Sequence, residues 1–274
     1  YSLSALFEKS FYFGLDLAAS YTFGHSKSVY DGTSSVAYSN WKYNYAVDSN
    51  NPGLAYSMFD IPHRVMVSVG YRTPRYAKGF MATTVSLVYN GYVGQRYSLT
   101  MNESYYDAEK KKTVYIDYNG DGWGGNSLLY IPTEDELQKM DFKTEEDRRK
   151  FDEWIEGDSY AKKHRGAYAM RNSNSAPWEN RVDLHVAQDI FVLKDRGSKF
   201  QVTFDVTNFA NMLNKKWGTT YTAAYNVMPL QVIGSKKGED GNYTNTYAYN
   251  SRNTITKNDV LSRWHAQIGF KYIF

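Results

Sequence analysis

Cysteine is absent from the 274 residues, which excludes disulfides, thiolate metal sites and cysteine nucleophiles. No apolar run approaches the roughly 18 residues that a transmembrane helix needs. The 32 basic and 29 acidic residues leave a net charge of only +3, so composition gives no support for a nucleic-acid-binding protein. Aromatic residues are abundant instead, with 26 tyrosines and an aromatic share of 17%. This composition favours β structure.

Apolar and polar residues alternate with a period of two along seven segments, which predicts strands with one apolar and one polar face. Near the C-terminal end, Trp264, Ile268 and Phe270 share the apolar face with the other even-numbered residues of 260–274. We expect that face to contact lipid. The predicted strands cover 1–8, 11–27, 60–73, 80–99, 178–193, 199–212 and 260–274.

The predicted strands are longer than the five or six residues usual in soluble sheets, and several reach the about 9 to 11 residues of a membrane-spanning strand. Their connections alternate between short turns and long loops. This pattern is typical of an outer-membrane barrel with periplasmic turns and extracellular loops. A soluble antiparallel sandwich would explain the alternation but not the strand lengths or the loop asymmetry. The predicted turns are Glu8–Ser10, Pro74–Gly79 and Lys194–Ser198, and the loops are 28–58, 100–176 and 213–258.

An odd number of strands conflicts with the even count of bacterial single-chain barrels, whose termini both lie in the periplasm. Seven strands would leave the N-terminal end outside the cell. We therefore expect residues 1–274 to be the C-terminal part of a larger barrel, in which segments 1–8 and 260–274 pair with strands outside this sequence. The region 216–234 is interpreted as loop.

Loop 100–176 contains two predicted helix starts. Thr133 precedes Glu136 by three residues, and Thr144 precedes Asp147 by three, a spacing typical of capping boxes. After the second start, the residues Phe151, Trp154 and Ile155 share one helix face. We expect these helices to pack on a core of the loop itself, although they could also shape a binding surface.

The sequence DYNGDG resembles the start of a calcium-binding loop, because Asp117, Asn119 and Asp121 offer hard oxygen ligands at alternate positions. The glutamate that such a loop carries at its twelfth position is missing, since Leu128 stands there. A structural Ca²⁺ and a metal-free Gly/Asp turn therefore both remain open.

No catalytic motif is present. His185 lies between Asp183 and Asp189, but polar ladders are ordinary on the inner face of a barrel. The sequence predicts a protein that is not an enzyme and needs no cofactor beyond the possible Ca²⁺.

Several longer motifs occur in order along most of the chain. They are DIPHR (60–64), DYNGDG (117–122), LLYIPTEDE (128–136), HRGAYAMRN (164–172), APWENRVDLHVAQD (176–189), FDVTNFANMLN (204–214) and the terminal FKYIF. Together they resemble the C-terminal barrel of TonB-dependent outer-membrane receptors, and within them the Oar-like group, whose members carry an N-terminal carboxypeptidase-regulatory-like domain.

The resemblance implies a 22-stranded barrel around a plug, energised by the TonB complex. The seven strands would be the last of that barrel, and the plug is absent from this sequence. Phe270, Tyr272 and Phe274 would form the aromatic signal read by the barrel-assembly machinery. The implied function is uptake of an extracellular ligand that binds the plug and the three long loops. The alternative is a non-transporting barrel that anchors surface loops for adhesion or for assembly with other proteins.

Overall fold

A computed structural model describes residues 1–192, 198–222, 226–251 and 255–274. One antiparallel sheet contains seven strands in chain order, and each of them overlaps one predicted segment. None of the described helices is long and apolar enough to cross a membrane. The strands are β1 Ser2–Ser10, β2 Leu15–Gly24, β3 His63–Arg72, β4 Met81–Tyr92, β5 Glu179–Phe191, β6 Lys199–Thr207 and β7 His265–Ile273.

The register of the sheet separates an apolar face from a polar face. One row across it runs through Leu17, Val69, Leu87, Leu184, Val206 and Ala266. The next row, on the opposite face, runs through Asp16, Gly70, Ser86, His185, Asp205 and Gln267. Ile268 and Phe270 lie on the apolar face, opposite Phe204 and Val202, and their exposed fractions are 62% and 78%. The apolar side therefore has the chemistry of a lipid-facing surface.

The sheet is open among the described residues. β1 pairs only with β2, and β7 pairs only with β6. Both edge strands thus present a row of backbone groups without a strand partner, as expected from the odd strand count.

The first hairpin differs from the prediction. Glu8–Ser10 is not a turn, because these residues pair with Asp16, Leu17 and Ala18. The chain reverses at 11–14 instead, and β2 begins at Leu15 rather than at residue 11. Gly14 has φ +94°, and a Cβ there would lie 2.2 Å from the carbonyl oxygen of Arg72. The phenylalanines of the turn fall at odd positions, like the large apolar residues of β2. The alternation alone therefore does not show where the strand begins.

Two other strands are shorter than predicted because the backbone turns away from the sheet. The segment 80–99 splits after Tyr92, and Arg96–Leu99 joins a separate small sheet. Between them, a Cβ at Gly94 would lie 2.6 Å from the carbonyl oxygen of Pro177. The segment 199–212 ends as a strand at Thr207, since Asn208 takes the left-handed conformation at φ +56°.

The ends of the remaining segments also move. β1 extends to Ser10, and β7 begins at His265 rather than at residue 260. The predicted end of β5 at Leu193 and the turn residues 194–197 lie outside the described residues.

The loops contain short helices and small sheets. Region 216–234 is not only loop, because Leu230–Lys237 forms a hairpin with Tyr243–Tyr249. The helices are α1 Ala37–Lys42, α2 Glu134–Lys139, α3 Glu145–Gly157 and α4 Phe209–Leu213, with a 3₁₀ turn at Ala161–Lys163. The other strands are Lys27–Ser28, Ala55–Tyr56, Arg96–Leu99, Ser104–Asp107, Lys112–Tyr115, Tyr130–Ile131, Asp141–Phe142, Ala167–Tyr168, Asn174–Ser175, Tyr221–Thr222, Asn226–Val227 and Thr256–Lys257.

Residues of the three long loops pack into one folded body, here called the loop cap (28–58, 93–178, 208–222, 226–251 and 255–262). Thr133 and Glu136 form the capping box of α2, and Thr144 caps α3. Phe151 and Ile155 of α3 are fully buried, and Trp154 packs beside them. The buried core of the cap comprises Tyr97, Leu99, Met101, Leu129, Ile131, Leu137, Phe142, Phe151, Ile155, Ala161, Ala169, Val227 and Leu230. The helices α2 and α3 therefore pack on a core that the loops themselves supply.

Candidate functional site

The DYNGDG segment forms a tight turn that is held by its own side chains. Asp117 accepts hydrogen bonds from the backbone N–H groups of Asp121 (3.2 Å) and Gly122 (2.8 Å). Asp121 accepts a hydrogen bond from the N–H of Trp123 at its Oδ1 atom, at 2.7 Å. Both aspartates therefore satisfy backbone donors, the role expected of Asp in a Gly-rich turn. A Ca²⁺ at Asp117, Asn119 and Asp121 stays a prediction.

The same turn docks the first long loop onto the second. The hydroxyl of Ser49, which is 2% exposed, donates to Asp121 Oδ2 at 2.6 Å. Asn126 donates to the same oxygen at 2.8 Å and to Ser49 Oγ at 3.1 Å. Burial raises the pKa of Asp121, but these donors outweigh burial and hold the pKa below its ordinary value. The carboxylate is thus an anchor between loops.

A buried ion pair joins the loop cap to the strand ends. Arg96 donates to Asp60 Oδ2 from Nη2 at 2.7 Å and from Nε at 3.0 Å. The side chains of Asp60 and Arg96 are only 1% and 8% exposed. The N–H of Ser26 donates to Asp60 Oδ1 at 2.6 Å, and His25 Nδ1 lies 3.2 Å from Oδ2. Asp60 therefore ties together the end of β2, the approach to β3 and the segment after β4.

The charge state of Asp60 follows from these contacts. Burial raises the pKa of the carboxyl group. The Ser26 N–H and the side chains of Arg96 and His25 together outweigh burial, so the pKa lies below its ordinary value. The carboxylate is ionised in the folded protein at neutral pH.

A half-enclosed cavity of about 370 Å³ lies between the first loop and the end of the second. It is lined by Asp31, Gly32, Thr33, Asn40, Tyr43, Asn44, Tyr45, Met58, Arg171 and Asn172. Arg171 crosses from the second loop to the first and donates to the carbonyl oxygens of Ser28 and Val29, both at 2.5 Å. Asn172 donates to Asp31 Oδ2 at 3.1 Å. This cavity is the candidate ligand site of the loop cap.

Sequence reasoning placed ligand binding on the long loops but did not find the cavity. The HRGAYAMRN motif contains Arg171 and Asn172, which was the available signal. The first-loop residues Tyr43 and Asn44 belong to no recognised motif, and only the packing of two loops brings them beside Arg171.

Side chains on the polar face of the sheet pair with one another. Asp189 is 2% exposed and accepts hydrogen bonds from Arg72 (2.7 Å), Lys199 (2.7 Å) and Gln201 (2.8 Å). His185 contacts Asp205 through Nδ1 rather than either of the aspartates near it in sequence. Among the described residues, no three histidine or acidic side chains converge as a metal site would require.

The C-terminal aromatic residues follow the exposed edge strand. Tyr272 packs against Phe200 of β6 with ring centroids 4.9 Å apart, and Phe274 lies 6.0 Å from Tyr272 in a stacked arrangement. Phe270, Tyr272 and Phe274 are 78%, 52% and 97% exposed. An accessible aromatic edge suits the assembly signal that the family resemblance implies, and that role stays a prediction.

Comparison with known proteins identifies the family of the chain. Searches of curated proteins and of solved structures gave no match to the chain. Residues 1–263 match the family described as "Outer membrane beta barrel domain". The match spans nearly all of the chain and agrees with the seven long antiparallel strands and their apolar face. The chain belongs to the outer membrane β-barrel domain family and is located in the outer membrane.

Proposed function

We propose that the protein is an outer-membrane receptor that takes up an extracellular ligand with energy delivered by TonB. The observation that carries this proposal is the loop cap, which places a lined cavity at the loop end of a long-stranded, open sheet. A concave cavity with apolar and aromatic walls and a few converging polar groups is the usual form of a small-ligand site.

The sheet supports the proposal through its width and its inner face. In the described part of the chain the seven strands do not close, which is consistent with a barrel too wide for side chains to fill. In the proposed receptor the rest of the barrel completes the wall and a plug fills the lumen. The ligand binds the loop cap and the plug, and a pull by TonB then rearranges the plug. In this proposal, the path of the ligand through the lumen is lined by paired polar groups, such as Asp189 with Arg72 and His185 with Asp205.

The motifs that resemble Oar-like receptors also support the proposal, because they supply the ties of the loop cap. DIPHR contributes Asp60, DYNGDG contributes Asp121, and HRGAYAMRN contributes Arg171. Each of these residues connects two separate chain segments. A receptor needs this fixed geometry to hold its ligand-binding loops in place.

The proposed receptor catalyses no reaction and needs no cofactor. A structural Ca²⁺ at Asp117, Asn119 and Asp121 is proposed only as reinforcement of a turn that already has internal hydrogen bonds.

A second candidate function is a non-transporting barrel that anchors the loop cap for adhesion or assembly. The fully buried Leu99, Leu129 and Phe151 favour it, because a cap with its own core can serve as a rigid surface domain. Exposed tyrosines on that surface, such as Tyr106 and Tyr115, would suit contact with another protein.

Depletion of compounds from culture medium tests the two functions. Cells that express the intact protein are compared with cells lacking it, each with and without a functional TonB, and the medium is surveyed by mass spectrometry. Transport predicts a compound whose depletion requires both the protein and TonB. Depletion that continues without TonB, or no depletion at all, contradicts transport. Loss of surface attachment on deletion of the protein, unchanged by TonB, would support the anchor instead.

A further inference from the structure

The cavity of the loop cap contains a buried cation that forms no ion pair among the described residues. Arg171 is 4% exposed. The Asp31 carboxylate in the same lining acts on it electrostatically, but that carboxylate accepts its hydrogen bonds from Ser28, Met58 and Asn172. The terminal nitrogens of Arg171 donate to neutral groups, namely the carbonyl oxygens of Ser28 and Val29 and the side-chain oxygen of Asn44. A buried charge that is hydrogen-bonded only to neutral groups is costly, so an added negative charge nearby would be stabilising.

Two N–H donors beside the cavity also lack acceptors. Nε of Arg171 and Nδ2 of Asn44 have no hydrogen-bond partner among the described residues. Asn44 is 8% exposed and is joined to Arg171 by a hydrogen bond, so the two donors lie on neighbouring side chains. Unsatisfied buried donors are rare in folded proteins, and each asks for an explanation. A carboxylate fits both observations, because it accepts two hydrogen bonds and carries one negative charge.

The rest of the lining limits the ligand further. Tyr43, Tyr45 and Met58 supply an aromatic and apolar wall. Asp31 lies in the same lining, and its carboxylate would repel a doubly charged group such as phosphate more strongly than a singly charged one. A volume of about 370 Å³ is at the lower end of the range for small-ligand sites.

We propose that this cavity binds a monocarboxylate with an apolar body, its carboxylate at Arg171 and Asn44 and its body against Tyr43 and Met58. Small rotations of the Arg171 and Asn44 side chains would turn their free N–H groups toward the ligand. The assignment of such a carboxylate as the transported ligand rests on the proposed receptor function, whereas binding itself does not require TonB.

Direct binding to the intact protein in detergent or in outer-membrane vesicles tests the assignment. The probes are 3-phenylpropionate and its amide, which match in shape and differ in charge. We expect the acid to bind at least tenfold more tightly than the amide by calorimetry or by ligand-observed NMR. Equal binding of acid and amide, or binding of neither, would overturn the proposal. Because TonB is absent from this assay, failure of uptake in cells leaves the binding result unaffected.

Two tyrosine variants locate the site without disturbing the loop contacts of Arg171. Tyr43 and Tyr38 are 63% and 59% exposed, and each lies near the Lys42 ammonium, at 5.2 and 5.6 Å from ring centroid to Nζ. Only Tyr43 lines the cavity. We expect Tyr43→Ala to weaken 3-phenylpropionate binding about tenfold and Tyr38→Ala to leave it unchanged. An equal effect of the two variants would refute the location.

Such a carboxylate could come from the C-terminus of a peptide or from a free organic acid. A third probe, N-acetyl-phenylalanine, distinguishes these two sources. Binding tighter than that of 3-phenylpropionate identifies the C-terminus of a peptide. Weaker binding identifies a free organic acid, and either order supports the carboxylate assignment.

Discussion

The ion pair between Asp60 and Arg96 gives the sharpest test of how the loop cap is held. Asp60→Asn keeps an oxygen for the Ser26 N–H but places an amide N–H₂ against the donors of Arg96. The arginine, 8% exposed, then becomes a buried charge without its partner. Breaking a buried pair in this way costs about 3–5 kcal/mol. The segments that meet at Asp60 should therefore open more often.

Hydrogen exchange of the intact protein, read by mass spectrometry, measures this opening. A cost of about 3–5 kcal/mol corresponds to exchange roughly 100-fold to 5,000-fold faster. The effect should appear in peptides that cover residues 25–28 and 96–99. Asp259→Asn is the matched control, because Asp259 is 77% exposed in its pairing with Lys257. Unchanged exchange in the Asp60 variant would refute the inference that this pair holds the cap.

Four further predictions concern the core, the caps, pH and the lipid face. Phe151→Ala removes a fully buried ring and should destabilise the loop cap by about 3–5 kcal/mol, measured by urea-dependent exchange. Thr133→Ala removes the N-cap of α2 and should destabilise that helix by about 1 kcal/mol, which would speed its hydrogen exchange. The pKa of Asp60 is lowered in the folded state, so the contribution of this carboxylate to stability is complete above the ordinary pKa of 3.8 and declines as the pH falls below that value. Hydrogen exchange measured over a series of pH values would show the decline. Ile268→Arg should hinder insertion into vesicles by about 2–4 kcal/mol, whereas Gln267→Arg, on the polar face, should insert normally.

Each of these predictions has an outcome that contradicts it. Phe59→Ala, at a ring that is 67% exposed, should be silent, and a loss equal to that of Phe151→Ala would argue against a cap core. Faster exchange in α3 than in α2 would contradict a local effect of Thr133→Ala. Stability that increases as the pH is lowered through 4 to 3 would reverse the sign expected for Asp60. Equal insertion of the two arginine variants would show that the faces are assigned wrongly.

The sequence by itself determined the strands and their faces. A period of two needs no tertiary information, because successive side chains of a strand point to opposite sides. The same local logic located the helices that begin after Thr133 and Thr144, since an N-cap hydrogen bond is formed within four residues. It failed at strand ends such as Tyr92 and Thr207, where the polar and apolar order continues after the backbone has left the sheet.

Only the tertiary structure decided how the loops combine. Ser49 and Asp121 are 72 residues apart, and Asn44 and Arg171 are 127 residues apart. Nothing in the spacing of either pair encodes their contact, because it depends on the packing of separate loops around one core. The cavity depends on the same packing, so the sequence shows which residues are present but not that they lie together around one cavity. Loop geometry is set by long-range burial and hydrogen bonding, whereas strand alternation is set residue by residue.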